Sequence, residues 1–349
     1  MTTDGGRGWA AMDRLTDDTG IVQHSRFAVL DRNHGYCIDD NARALMLVAI
    51  ADDLPAEVCV RYGLIYAAFV QHGWNDTTGA FRNFMGWDRR WLEDTGSLDS
   101  NGRTLWALAT AETRFPDKGV RDWAATLFDQ VVRRVDPETS PRTAAFLILA
   151  MEQNASARGD NAIAPTLVAR CGKYLHGLFE HHAAPGWQWF EPYLSYDNYR
   201  LPEALIAAGT LLDRSQWIET GCEALSWLIA RQTGPSGVFR PVATEEFGVI
   251  HAPPALYDQQ PIEAWAAIDA AIAVQRARPD KRWIDHAEAA FAWFTGTNDA
   301  RSPIANSAIG ECFDGIGAQG VNRNMGAESV LAWQFAQRRI EVLRRLDIC

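Results

Sequence analysis

Asp39-Asp40-Asn41-Ala42-Arg43 gathers two adjacent carboxyls, a carboxamide and a guanidinium within five residues. Adjacent acids raise one another's pKa, so one of the pair can hold a proton near neutral pH and donate it. That is the equipment for acid–base work on a polar substrate. The pattern returns, with drift, along the chain. Asp99-Ser100-Asn101-Gly102-Arg103 repeats it closely, Glu138-Thr139-Ser140-Pro141-Arg142 keeps acid and arginine, and Asp197-Asn198-Tyr199-Arg200 keeps acid, amide and arginine. Asp258-Gln259-Gln260-Pro261-Ile262-Glu263 and Asn324-Met325-Gly326-Ala327-Glu328 end in glutamate where the arginine stood.

Each copy leads into an apolar segment with three- and four-residue spacing, the mark of a helix with a polar first turn. Six such starts, separated by roughly 40 to 70 residues, indicate a repeat architecture. The periodicity predicts inner helices beginning near residues 40, 100, 141, 199, 260 and 325, alternating with outer helices. The fold class expected is all-α, an (α/α)6 toroid of six helical hairpins in a single domain over residues 1–349, the segment around 8–30 supplying the remaining outer member. Parallel inner helices bring their polar first turns to one rim. Gly79-Ala80-Phe81-Arg82, Gly186-Trp187-Gln188-Trp189, Gly237-Val238-Phe239-Arg240 and Gly310-Glu311-Cys312-Phe313 read as short strand-like turns in the loops over that rim. N-capping explains one Asp, Asn or Ser at a helix start. It does not require Asp-Asp-Asn before arginine or Gln-Gln before glutamate.

Composition narrows the substrate. A net charge of −11 disfavours nucleic acid, and no basic amphipathic or long apolar segment suits a membrane. The 14 tryptophans suit stacking on sugar rings as well as core packing. The six cysteines contain no Cys-x-x-Cys pair and read as reduced thiols of a cytoplasmic protein. No phosphate-cradling glycine loop, nucleophile elbow or metal-binding helix motif is present, so neither a cofactor nor a metal is expected.

Cleaving a glycosidic bond takes two carboxyl groups, one protonated and one ionised. Asp40 is the first choice for the acid, with Asp39 free to cap the helix. Glu191, in Trp187-Gln188-Trp189-Phe190-Glu191, is the preferred partner because its aromatic neighbours would desolvate it, followed by Asp99 and Asp197. Candidate substrate-binding residues are His34, Tyr36, Asp39, Asn41, Arg43, Trp87, Trp187, Trp189, Tyr196, Asn198, Asp258, Gln259, Gln260, Glu263, Asn324 and Glu328. Glu263 and Glu328, a turn inside their helices, have a structural alternative as partners of Arg43, Arg103 or Arg200.

Three stretches carry a family resemblance: Leu15-Thr16-Asp17-Asp18-Thr19-Gly20-Ile21-Val22-Gln23-His24, His34 through Leu45, and Gly326-Ala327-Glu328-Ser329-Val330-Leu331-Ala332. With them the chain resembles the bacterial six-hairpin, glycosidase-like proteins that accompany or are fused to group 1 glycosyltransferases. The resemblance implies a carbohydrate substrate and a glycosyltransferase of the same pathway as a partner. That class includes paired-acid hydrolases and histidine-using sugar 2-epimerases. The leading expectation is hydrolysis of a bacterial oligosaccharide or exopolysaccharide. An N-acyl-glucosamine 2-epimerase-like isomerase, using His24, His34 or His251, and a non-catalytic glycan-binding module are the alternatives.

Overall fold

The computed structural model describes residues 7–158, 163–243 and 255–347. Twelve helices appear among them: α1 (Ala10–Leu15), α2 (Ile38–Ile50), α3 (Ala56–Gly73), α4 (Leu98–Arg114), α5 (Lys118–Val132), α6 (Pro141–Arg158), α7 (Ile163–His182), α8 (Arg200–Leu211), α9 (Ser215–Arg231), α10 (Pro261–Ala277), α11 (Lys281–Phe294) and α12 (Ala327–Leu346). The even-numbered helices pack in sequence, α2 on α4, α4 on α6, α6 on α8, α8 on α10 and α10 on α12, and α12 returns to α2. This is the (α/α)6 toroid, with inner helices starting within two residues of the predicted positions.

Burial separates the two rings. Inner helices are buried all round, as α10 is at nearly every position from Pro261 to Val274, whereas outer helices such as α5 bury one stripe. Alanines dominate the inner ring, and Gly102 shows why small residues are needed: an added Cβ would lie 3.0 Å from the Thr143 Cα, where α4 meets α6. The sixth outer position is filled by the short α1, which packs on α12.

The loops fall into two kinds. Inner-to-outer connections are short, such as Phe115–Asp117, and outer-to-inner connections carry the strand-like pieces over the rim. Four turn alike. Gly79, Gly186, Gly237 and Gly310 all sit at φ between +72° and +80°, a region open to glycine, next to the pairings Asn75↔Ala80, Ala184↔Trp187, Thr233↔Phe239 and Asn306↔Glu311. The five described cysteines Cys37, Cys59, Cys171, Cys222 and Cys312 are free thiols. No helix among the described residues is long and apolar enough to cross a membrane. His251 lies outside the described residues.

Candidate active site at the inner-helix rim

The acids of the repeated motif do not cap their helices. Cys37 occupies the N-cap of α2 without a side-chain bond, and at α4 the cap is Ser97, whose oxygen accepts from the Ser100 amide. Asp39, Asp40 and Asp99 instead lie in the first turn, where the helix dipole favours negative charge. Asp39 and Asp99 are taken up by groups from other parts of the ring, and Asp40 by Arg43 one turn along its own helix.

Arginines at the matching register supply most of those partners. Arg43 gives one terminal nitrogen to Asp40 and the other to Glu328, each at 3.0 Å. Arg103 bonds Asp39 at 2.9 Å and reaches across to Asp197 at 3.1 Å. Asp197 also faces the Arg200 Nε at 3.3 Å, and Arg200 continues to Glu203 at 2.7 Å and Asp269 at 2.9 Å. Asp269 in turn pairs with Arg339. The result is a ladder of alternating charge through the middle of the ring, from the rim at Asp39 to the far end at Arg339. Asp197 is placed for this by a left-handed backbone, φ +51°, which aspartate tolerates better than most residues.

The four acids first considered for chemistry therefore meet different fates. Glu191 is buried and held by Arg142 at 3.0 and 3.2 Å, while the Arg142 Nε donates to the Tyr196 carbonyl. Asp197 is sealed between two guanidiniums; burial works to raise its pKa, and Arg200 and Arg103 outweigh it and hold it below the usual range. Asp99, half-buried, accepts from the Tyr196 hydroxyl at 2.6 Å, from Ser140 at 2.5 Å and from Thr143 at 3.4 Å. Asp40 has one charged partner, Arg43, and a side chain 5% exposed. Burial, reinforced by Glu328 and Asp39 against Arg43, pushes its pKa up to about 7. Glu328 is the most open of these rim acids, its side chain 39% exposed.

The remaining candidates divide between rim and core. Asp39 also accepts from the Ser100 hydroxyl at 2.9 Å. Tyr36 gives its hydroxyl to Asp17 at 2.7 Å and stacks on Trp87, whose ring also carries the Arg32 guanidinium. His34, exposed, meets His24 edge-on with ring centroids 4.6 Å apart. Burial and then His34 lower the His24 pKa, while Asp314, Glu328 and Asp31 raise it. Asn324 accepts from the Phe27 amide, and Asp258 and Gln260 lie half-buried ahead of α10.

Several residues expected to touch substrate are structural in their surroundings. Trp187 and Trp189 are fully buried and pack on Trp227, and the Trp187 indole donates to the Glu191 carbonyl at 2.8 Å. Asn41 ties Ile21 and Cys37 together, and Asn198 caps its own turn through Ser195. Gln259 is buried and bound to Trp293 and Asp299. Its amide group is thus engaged in packing the loop ahead of α10. Glu328 takes the arginine partner foreseen for it. Glu263 does not: it accepts from the Asn198 amide and side chain at 3.0 Å and from Gln232, and burial pushes its pKa up to about 7. Arg103, Arg142, Arg200, Ser100, Ser140 and Asp314 belong to the site and were not among the candidates. The recurring arginine register was the signal for the first three.

A cavity of about 760 Å³ opens at the opposite end of the ring, reaching inward to Trp106, Glu203 and Trp265. Its charged walls largely satisfy one another, with Arg338 on Asp53 at 2.8 and 2.9 Å and Arg339 on Asp269. Burial raises carboxyl pKa values at both ends, Glu203 to about 8 in the cavity and Asp40 to about 7 at the rim; the rim also has the long loops that build sites on rigid scaffolds, and it is the better candidate. Among the described residues no cluster could hold a metal ion.

No described protein family and no curated protein sequence matches the chain. Solved structures do. A cellobiose 2-epimerase from Bacillus thermoamylovorans superposes with a TM-score of 0.69 at 10% identity, covering 96% of this chain and 97% of that one. A GH76 α-mannanase from Bacteroides thetaiotaomicron gives 0.66 at 11% identity over 97% and 94%. An inactive α-1,6-mannanase variant from a Salegentibacter species, with alanine at two consecutive aspartates and α-1,6-mannotetrose bound, gives 0.62 at 10% identity over 96% of each chain. What this chain shares with them is the fold, an (α/α)6 toroid along almost its whole length.

Proposed function

We propose that the protein is a carbohydrate-acting enzyme that hydrolyses a glycosidic bond of a bacterial oligosaccharide or exopolysaccharide at this rim. The observation that carries the reading is the Asp40–Arg43–Glu328 set: a buried carboxyl with a pKa of about 7 and an open carboxylate, bound to one guanidinium. Asp40 donates its proton to the glycosidic oxygen as the bond to the anomeric carbon breaks. Glu328 takes a proton from the water whose oxygen bonds to that carbon, so one water is consumed and the acids are restored through solvent. Arg43 favours the ionised form of Asp40, and burial overcomes it there.

Glu328 is preferred over the other acids because Glu191 and Asp197 are sealed by arginine and Asp99 is occupied by three hydroxyls. Solved mannanases of this fold support the substrate class, and the one inactivated at two consecutive aspartates parallels Asp39-Asp40 in kind. A glycosyltransferase of the same pathway is the partner that the sequence resemblance suggests.

One observation favours a second reading. His24, with its lowered pKa and its ring against His34 near Glu328, is a neutral base at pH 7 suited to moving a proton on a sugar carbon. That is the isomerase alternative, in keeping with the epimerases among the structural neighbours.

The test is reducing-end release from a panel of bacterial exopolysaccharides. Asp40→Asn and Glu328→Gln are each expected to lower the rate by about 10²–10⁴. Unchanged rates in both would remove the pair from the chemistry.

A further inference from the structure

We propose that Phe27 is the stacking platform for a sugar ring at a subsite beside Glu328; the inference rests on the carbohydrate reading of the rim and adds a residue to it. Sugar rings bind on open aromatic faces. The tryptophans that the sequence offers for this are packed: Trp187 and Trp189 in the core, Trp87 between Tyr36 and Arg32. Phe27 is the opposite case. It is 65% exposed, the most open aromatic side chain among the described residues.

Nothing in folding accounts for that placement. Phe27 sits at the tip of the hairpin pairing Ser25 with Leu30 and Arg26 with Val29, at φ +53°, a conformation uncommon for a bulky residue. Glycine or asparagine would suit the backbone better, and an exposed ring gains little from burial. The strained residue is nonetheless clamped on both sides. Its amide donates to Asn324 Oδ1 at 3.0 Å, and its carbonyl accepts from the Ser25 hydroxyl at 2.6 Å, which itself accepts from the Met325 amide at 2.8 Å. Asn324 and Met325 immediately precede α12, which carries Glu328, and Gln23 at the hairpin's foot accepts from the Ala327 amide. The hairpin is thereby fixed to the helix that supplies the open carboxylate, and His24 directly precedes its first strand. Strain held in place at a candidate site, on a residue with no packing role, marks a side chain kept for a ligand.

The experiment measures binding by calorimetry of cellotetraose, α-1,6-mannotetraose and a β-1,3-linked glucotetraose to the full chain, in wild type, Phe27→Asn and Phe27→Trp. Asn suits the left-handed backbone and removes the ring; Trp keeps a ring. Expected are unchanged or higher Tm for Phe27→Asn with a loss of affinity on the order of tenfold for the probes that wild type binds, and affinity within about threefold of wild type for Phe27→Trp. Equal affinity in wild type and Phe27→Asn, equal losses in both variants, or no binding of any probe at millimolar concentration would overturn the platform. So would a dimer, seen by light scattering, that Phe27→Asn dissolves without touching affinity. Binding that follows this pattern with no probe cleaved would leave the platform standing and remove hydrolysis.

Discussion

Asp40 and Glu328, near opposite ends of the chain, occupy the two terminal nitrogens of a single guanidinium, each at 3.0 Å. The contact closes the ring chemically as well as geometrically, because α2 and α12 are the first and last inner helices. It also sets two carboxyls in unlike surroundings, one buried and one open, which is how acid and base roles are divided within a site.

The pH dependence of turnover follows from this. With Asp40 pushed up to about 7, the donor is protonated below that pH and lost above it, so kcat should fall on a basic limb near pH 7. Glu328→Gln removes a charge that raises Asp40, and residual activity should show the limb moved to lower pH. A limb that stays in place in the variant would mean that another group is titrating.

Glu263 supplies a separate stability test. Its pKa is about 7 in the folded ring against an ordinary 4.5, so the native chain holds an extra proton between those values. The stability that protonation gives is present in full below about pH 4.5 and is lost as pH rises to about 7, where it levels. The slope should remove on the order of 1–3 kcal/mol over that window. Glu263→Gln should flatten part of it, as read from urea midpoints at a series of pH values; an unchanged slope would assign it to Asp40 and Glu203, which are also raised.

How much of this was legible in the sequence depends on which neighbour each residue answers to. Helix starts and the ring were readable because they rest on local periodicity, and the four αL glycines marked their hairpins by type. The arginines stood in register in the sequence, yet their partners lie on other helices, so Arg103 reaching Asp197 could not be read from spacing. Tryptophan misled for the same reason. Whether an indole faces the core or a sugar is decided by how the loop of Trp187 and Trp189 packs, and composition is silent on that. Phe27 carried no motif; only its exposure and positive φ single it out.

The axial ladder should be costly to break. Asp197→Asn leaves Arg103 and Arg200 buried against a neutral group and is expected to lower stability by about 3–5 kcal/mol. A loss below about 1 kcal/mol in urea unfolding would show that the guanidiniums find other partners.

Packing between α4 and α6 gives an independent check on the ring. Gly102→Ala places a Cβ 3.0 Å from the Thr143 backbone, which cannot yield as a flexible side chain would. Overpacking of this kind typically costs about 1–3 kcal/mol. A neutral or stabilising alanine, measured by thermal unfolding, would contradict the close approach of these helices.

Proton NMR of a glycan turned over in D2O tests hydrolysis at the rim most directly, because it separates the two chemistries that this toroid could support. Hydrolysis predicts new reducing-end anomeric signals, no deuterium at C2, and loss of those signals in Asp40→Asn. Deuterium entering at C2, or a C2 epimer with the glycosidic bond intact, would contradict it and transfer the site to His24 and His34.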